Sequence, residues 1–435
     1  MSLRTLVKKF IPSKLFVKIE PFGHLMEAVL FNVLYGFPAR KMKVIGVTGT
    51  NGKTTTSFMI YKILQAAGYK VGIMTTVAFG VDDDIKPQTH HVTSVTVPEL
   101  MKRLKEFKSK NIDWLVLETT SHALAQNRVW GVPYSVVVMT NVTHEHLDFH
   151  KTFNNYLNAK IKLFQLANGN KKGLRTGIIN AEDDNAPKFV SAINKPITYG
   201  VKTGDLRAEE VILATDQIQY TAKIGSTNYH IKCFIPGSFN VYNSLAAVAV
   251  GHVLSVPVGK IEQGIAALKE VEGRMTHINE GQPFDVIVDF AHTPDSFEKL
   301  FKDIKPVTNA KLIVMFGSAG RRDEAKRSIQ GELAGIYADE VVITEEDDRD
   351  VDGDKILNQI AGGAEKAGKT RQTNLFLVHD RPAAIQFTID RAKTGDTVLL
   401  LGKGHEKTIE RANGASPWDE IGAAREAIKK RLAKS

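Results

Sequence analysis

Lys53 and Thr54 close the run Thr48-Gly49-Thr50-Asn51-Gly52-Lys53-Thr54-Thr55. An apolar stretch, Val44-Ile45-Gly46-Val47, precedes it, and a helical pattern opened by Phe58, Met59 and Tyr61 follows. Strand, glycine loop, lysine, hydroxyl and helix in that order suit a triphosphate. Backbone N–H groups at a helix N-terminus point at an anion, and the helix dipole adds to their pull. Lys53 can then reach the terminal phosphates, and the Thr54 hydroxyl can sit on Mg²⁺. The run departs from GxxxxGK(S/T) at its first position, where Val47 stands. Glu118 ends another apolar run, Trp114-Leu115-Val116-Leu117. A carboxylate at the carboxyl end of a strand faces the same edge as the loop and is a candidate Mg²⁺ ligand. The stretch TNVTHEHLDFH, 140–150, crowds Asn141, His144, Glu145, His146, Asp148 and His150 together. So many polar groups after an apolar run point to a metal or phosphate site, and oxygen ligands beside a triphosphate favour Mg²⁺ over zinc.

Three edges in the last third also carry charge. FGSAGRRDEAKR, 316–327, concentrates Arg321, Arg322, Lys326 and Arg327, which suits carboxylates or phosphates. TEEDDRD, 344–350, is acidic except for Arg349, so it can accept an ammonium group while the arginine holds a carboxylate. LLLGKGHE, 399–406, is a further strand-to-glycine edge. Lys160 and Lys162 fall on a helical pattern, and spacing alone singles out neither.

The elements that must position these groups alternate. Apolar runs at 43–48, 71–77, 114–119, 135–140 and 176–180 predict strands, with helical patterns at 97–108 and 154–166 between them. This predicts an α/β domain with a mostly parallel sheet covered by helices. Residues 207–235 read as a small antiparallel β appendage, followed by helices at 239–254 and 257–269. From about 271 the alternation restarts, with strands at 285–290, 311–316, 340–344, 374–378 and 397–401 and helices at 294–303, 325–337, 353–367 and 382–393. The expected division is a short helical segment, 1–41, a central ATP-binding domain, 42–270, and a C-terminal Rossmann-like α/β domain, 271–435.

A chain of 435 residues is long enough for two or three cores. Its one cysteine, Cys233, excludes an intrachain disulfide and a cysteine zinc site, which fits a reducing cytoplasm. No apolar run reaches the roughly 18 residues of a membrane span, and no signal-peptide cleavage site follows an apolar stretch at the N-terminus. The net charge of +9 is uneven. Residues 1–43 hold eight Lys/Arg and two Glu, an excess of six cations. A basic tail over a near-neutral body explains this better than nucleic-acid binding. Residues 1–41 predict one or two helices broken at Pro12 and Pro21. The second, His24–Tyr35, is apolar nearly all round, which suits packing on the body first and contact with an anionic membrane second.

Together these runs resemble the Mur ligase family, most closely its MurE branch. That branch adds meso-diaminopimelate or L-lysine to UDP-N-acetylmuramoyl-L-alanyl-D-glutamate during peptidoglycan synthesis. The resemblance rests on VTGTNGKTTT (47–56), ETTSHALAQNRV (118–129), TNVTHEHLDFH (140–150), NAKIKLF (158–164), PGSFNVYNSLAA (236–247), EGRM (272–275), VDFAHTPD (288–295), FGSAGRRDEAKR (316–327) and LGKGHE (401–406). It implies an ATP- and Mg²⁺-dependent ligase that activates a carboxylate as an acyl phosphate and joins it to an amine. By motif position Gly49, Thr50, Asn51, Gly52, Lys53, Thr54, Thr55, Asn243, Arg274, Asp289 and His292 would serve ATP. Thr54, Glu118, His146 and Lys160 would serve the metal, with Lys160 carried as a carbamate. Thr96, Thr120, Gln126 and Arg128 would meet the nucleotide-peptide. Arg322, Glu346, Asp347, Arg349, Gly402 and Glu406 would meet the incoming diamino acid. A cytoplasmic monomer without nucleic-acid partners is expected. The family's nucleotide-sugar-binding N-terminal domain is longer than the segment that precedes the loop strand here. The diaminopimelate signature DNPR reads Glu346-Asp347-Asp348-Arg349, the aspartate usual in DHLD is Glu145, and the Thr-Thr-Pro turn reads Thr96-Val97-Pro98. A folylpolyglutamate-type acceptor and L-lysine as the added amino acid are the alternatives.

Overall fold

The loop strand, Lys43–Thr48, runs through the middle of an eleven-stranded sheet in the computed structural model, which describes residues 13–88, 95–214 and 217–434. Trp114–Glu118 and Tyr134–Met139 flank it, both parallel to it. Val71–Met74, Thr176–Asn180 and Lys195–Gly200 extend the parallel part. These strands read as continuous apolar runs because both sheet faces are covered. Alternate side chains serve opposite cores: Ile45, Val47 and Val116 one, Val44, Leu115 and Leu117 the other. The loop helix, Lys53–Ala66, buries Met59, Ile60, Ile63 and Leu64 and packs on helices Phe239–Val253 and Val258–Ala267. All the parallel strands deliver their carboxyl ends to one edge, where the glycine loop lies.

The antiparallel strands are Leu206–Leu213, Ile218–Ile224 and Thr227–Cys233. They are not detached. Leu206 pairs in parallel with Tyr199, so they form one edge of the same sheet. At the other edge the run expected at 71–77 ends at Met74. The Thr75 hydroxyl accepts from Val77 N (3.2 Å) and Ala78 N (3.1 Å), turning the chain into an unforeseen hairpin, Ala78–Val81 and Asp84–Pro87.

A second, six-stranded sheet has the order Thr276–His277, Asp285–Asp289, Thr397–Leu401, Leu312–Phe316, Glu340–Ile343, Leu375–Leu377. All its pairs are parallel except the first. Helices Pro294–Ile304, Ala325–Tyr337, Gly353–Lys366 and Arg381–Arg391 cover it. A terminal helix, Glu420–Leu432, and a hairpin, Thr408–Arg411 with Gly414–Pro417, were not foreseen. The helix is tied in by a fully buried ion pair: Arg381 Nη2 lies 2.6 Å from Glu420 Oε1 and donates to Leu401 O at 2.8 Å. Arg381 Nη1 donates to Glu345 O at 2.8 Å, so the same guanidinium holds the acidic edge 344–350. Arg381→Met strands a buried carboxylate and is expected to lower stability by about 3–5 kcal/mol in urea denaturation. A loss below about 1 kcal/mol would show that Glu420 finds water or another donor.

At the N-terminal end one helix, Ser13–Leu34, runs through Pro21, where a break was expected. A proline removes one backbone donor, and the rest of the ladder continues past it. Pro12 lies outside the described residues. Ala28 and Asn32 are buried, and Asn32 Nδ2 donates to Trp130 O at 3.0 Å, so this helix packs on the central domain.

Candidate active site

The loop's two positive-φ glycines are forced by close neighbours. A Cβ on Gly49 (φ +154°) would come within 1.8 Å of Thr140 Oγ1, and one on Gly52 (φ +81°) within 2.1 Å of Asn243 Oδ1. Asn51 N donates to Asn141 Oδ1 at 2.9 Å, and the Thr50 hydroxyl lies 2.9 Å from the Tyr156 hydroxyl. Lys53 opens the loop helix, and its Nζ donates back to Thr50 O at 2.8 Å. Burial holds the Lys53 ammonium below its usual pKa, against the pull of Glu118 and Glu145. Thr54 and Thr55 follow on the first turn, both buried.

Glu118 is placed by three hydroxyl and backbone donors. Thr54 Oγ1 and Thr76 N each lie 3.0 Å from Oε2, and Thr76 Oγ1 lies 2.9 Å from Oε1. Lys160 is buried on the helix Phe153–Gly169; its Nζ donates to Gly49 O at 2.6 Å and sits 4.5 Å from the Tyr156 ring centroid. Burial, then the charge of Lys53, push its pKa well below the ordinary lysine value. His146 takes a left-handed backbone (φ 56°), and burial lowers its pKa. Burial thus disfavours the charged form of both Lys160 and His146 where they meet the cavity. Among the described residues no three His, Cys, Asp or Glu side chains converge as a preformed metal cage.

The second domain closes over this edge. Asn51 Nδ2 donates to Asp295 Oδ2 at 2.8 Å. His292 Nδ1 faces Phe290 O at 2.8 Å and its Nε2 faces Glu145 Oε1 at 3.0 Å. Both ring nitrogens face oxygen atoms, which fixes the orientation of the ring between Phe290 and Glu145. Burial alone would raise Glu145; His146, His292 and Lys53 outweigh it and hold the carboxyl well below its usual range. Arg274 lies over the Phe290 ring at 4.5 Å, and its Nε is buried without a partner. A desolvated guanidinium with an unused donor suits a phosphate. Asp289 accepts from Met275 N (2.8 Å) and Ala291 N (2.7 Å), and burial raises its pKa. Asn243 Nδ2 donates to Asn240 Oδ1 at 2.8 Å.

Two cavities share the loop. One, of about 450 Å³, is lined by Gly52, Thr55, Asn243, Arg274, Asp289 and His292 among others, and is roomy enough for a nucleoside. The other, of about 710 Å³, runs from Lys53, Glu118, His146 and Lys160 to Arg322, Glu346, Asp347, Arg349 and Glu406.

At its far wall Arg349 Nε donates to Glu410 Oε2 at 2.7 Å and Nη1 to Gly320 O at 2.6 Å. Lys403, fully buried, lies 2.9 Å from Asp347 Oδ1 and 2.6 Å from Glu406 Oε2. Burial raises Glu406 despite that lysine. Glu346 is buried, and its Oε2 has no partner. A Cβ on Gly402 would stand 2.9 Å from that oxygen.

Residues 47–251 match the Mur ligase middle domain, and residues 273–404 match the Mur ligase glutamate ligase domain. A UDP-N-acetylmuramyl-tripeptide synthetase of Roseiflexus sp. is 39% identical over 94% of this chain and 82% of its own length. The chain belongs to the Mur ligase family. A UDP-N-acetylmuramoyl-L-alanyl-D-glutamate–2,6-diaminopimelate ligase of Clostridium acetobutylicum is 37% identical over 92% of this chain and 81% of its own. A solved structure of such a diaminopimelate ligase superposes with a TM-score of 0.63 at 26% identity, covering 95% of this chain and 83% of that one. As a member of this family the protein is an ATP-dependent, amide-forming ligase.

Most residues singled out in the sequence meet at these two cavities, including Thr120 and Arg128. Of those given a role by motif position three line neither one, and His150, Arg321 and Arg327 lie outside both as well. Thr96 is exposed at the N-terminus of the helix Val97–Ser109, beside residues 89–94, which lie outside the described residues. Gln126 is buried with its Oε1 unpartnered, and Gly402 stands one layer back, against Glu346. Lys162 turns away to Leu124 O, at 3.0 Å. Sequence reasoning missed Thr76, Tyr156, Lys403 and Glu410. Only Thr76 had a local signal, the Thr75-Thr76 pair that ends a strand.

Proposed function

We propose that this ligase joins an amino acid, meso-diaminopimelate, to UDP-MurNAc-L-Ala-D-Glu. The central domain spans 42–270 and the amino-acid domain 271–435. A carboxylate oxygen of the acceptor attacks the γ-phosphorus of ATP, and ADP leaves. The amine nitrogen attacks the acyl carbon, loses its proton to solvent, and inorganic phosphate departs. The observation that carries the reading is the 710 Å³ cavity, which runs unbroken from the glycine loop to the acidic edge with Arg349. Lys53 and Arg274 neutralise the phosphates and hold them in line. Thr54, Glu118, His146 and Lys160 would hold Mg²⁺, which supplies further charge neutralisation at the phosphate oxygens. Thr120 and Arg128 stand between the loop and the far wall, where the peptide carboxylate must sit. At that wall Glu346 offers an unpaired carboxylate to the distal ammonium. Arg349, aimed by Glu410 and Gly320, offers its remaining N–H groups to the distal carboxylate. One chain supplies both halves of the cleft, so this reading calls for no partner subunit, and it places the enzyme in the cytoplasm with its ATP.

ADP release with UDP-MurNAc-dipeptide, with folate and with no acceptor tests the reading across a panel of amino acids. Turnover only with the muramoyl dipeptide and diaminopimelate is expected, and turnover only with folate rejects it. Arg349→Ala is expected to lose about 10–100-fold in kcat/KM with diaminopimelate, the worth of a charge-assisted hydrogen bond. Any residual turnover with lysine should fall much less. Equal losses would show that Arg349 only braces the hairpin through Glu410.

A further inference from the structure

The N-terminal helix has two unlike faces. Inward, Ala28 and Asn32 are buried against the central domain. Outward stand Phe22, Met26, Leu30, Val33, Leu34 and Phe37, between 38% and 66% exposed. The spacing is that of one helical stripe continued into the turn after Leu34. Elsewhere among the described residues the exposed large apolar side chains stand singly or, as at Val211, Ile212 and Leu213 on an edge-side strand, in a shorter run. A contiguous apolar stripe of this size marks a contact surface.

The charge around the stripe selects its occupant. Glu27 is the one carboxylate between residues 22 and 37. Arg40, Lys41 and Lys43 are exposed just beyond the stripe. Lys105 is exposed as well and lies 5.8 Å from the Tyr35 ring centroid, on the helix packed against this one. Over residues 1–43 the eight Lys/Arg outnumber the two Glu, so a second copy would bring an equal cationic excess against the first. No helix among the described residues is long and apolar enough to cross a membrane. An apolar face with basic flanks that does not span belongs in the plane of a lipid surface.

We propose that this face docks on an anionic bilayer, with the stripe at the acyl boundary and the cations at the headgroup phosphates. The helix is fixed to the central domain through Asn32 and Trp130 O, two residues after Arg128. Docking therefore orients the wall of the cleft that carries Arg128 with respect to the bilayer. The docking does not depend on which amino acid the ligase adds.

The test is co-sedimentation of the full chain with vesicles of phosphatidylglycerol and phosphatidylcholine, or of phosphatidylcholine alone, at about 0.1 M salt. Binding to the anionic vesicles only, weakening as salt rises, is expected. Leu30→Ser with Leu34→Ser should lower the partition coefficient about tenfold or more. Arg40→Gln with Lys41→Gln should lower it about 25-fold, at about fivefold per cation. Both variants change outward side chains, so melting temperature and ADP release should stay at wild-type values. Equal binding to neutral vesicles, no binding, or undiminished binding by both variants would overturn the proposal. So would a wild-type dimer that the leucine variant dissociates, since the face would then belong to a second copy.

Discussion

Lys53→Ala is expected to lower acceptor-dependent ADP formation at least about a thousandfold while leaving the melting temperature close to wild type. Removing one preorganised charge from a phosphoryl-transfer site costs about 10²–10³ in rate, and Lys53 adds a second role. It stands on the first turn of the loop helix and reaches over the loop to Thr50 O, so its charge sits where the terminal phosphates must lie. Its ammonium is already partly desolvated, which burial shows by lowering its pKa. A charge in such surroundings acts at a lower effective dielectric than one in water. Stability should change little, because Lys53 donates to one backbone carbonyl and makes no ion pair closer than 4 Å among the described residues. ADP release and thermal melting on the same preparation check both halves. Near-wild-type turnover by a folded variant would remove the glycine loop from the chemistry.

The loop was legible because everything that defines it is local: two glycines, a lysine and a hydroxyl between a strand and a helix. The parallel strands were legible for a similar reason. Strands covered on both faces read as unbroken apolar runs, and 43–48, 114–119 and 397–401 gave no competing pattern. What was lost came partly from local signals that point both ways and mostly from partners far away in the chain. Thr75 has the composition of a strand residue, yet its hydroxyl turns the backbone and delivers Thr76 to Glu118. Pro21 signals a break that the helix passes through with one fewer donor. The acidic run 344–350 read as an edge that accepts an ammonium group while Arg349 holds a carboxylate. In the fold Asp347 is neutralised by Lys403 and Glu345 by Arg411, Asp348 Oδ2 lies 2.7 Å from His379 Nε2, and Glu346 Oε2 is left without a partner. Arg349 likewise takes its orientation from Glu410, on a hairpin that no periodicity announced. No window of sequence contains both members of these pairs, so the site's residues could be named while its electrostatic balance could not.

Lys160 is the sharpest case, since spacing alone gave no reason to prefer it to Lys162. The fold separates them: Lys162 reaches Leu124 O near the surface, while Lys160 is buried beneath the loop with its Nζ 2.6 Å from Gly49 O. Burial and the charge of Lys53 push the pKa of Lys160 well below the ordinary lysine value and so favour the free amine. A neutral amine can add CO₂: the nitrogen bonds to carbon, one proton leaves, and the amine becomes a carbamate anion. That anion would lie in the same cavity as Glu118, His146 and Thr54, and would complete an oxygen-rich set suited to Mg²⁺. Depleting CO₂ at mildly acidic pH is therefore expected to suppress ADP formation, and adding bicarbonate to restore it. Acid acts in the same direction, because protonating the amine removes the nucleophile that holds CO₂. Lys160→Ala should lose about a thousandfold or more in rate, the scale of an essential charge at such a site. Acetate or another short carboxylate that fits the vacated space should return part of it. A carbamate carbon labelled from ¹³CO₂ should give a resonance in the wild type that is missing in Lys160→Ala. Full activity in rigorously CO₂-free buffer, with no labelled resonance, would leave Lys160 as a buried amine that braces Gly49 and does nothing more.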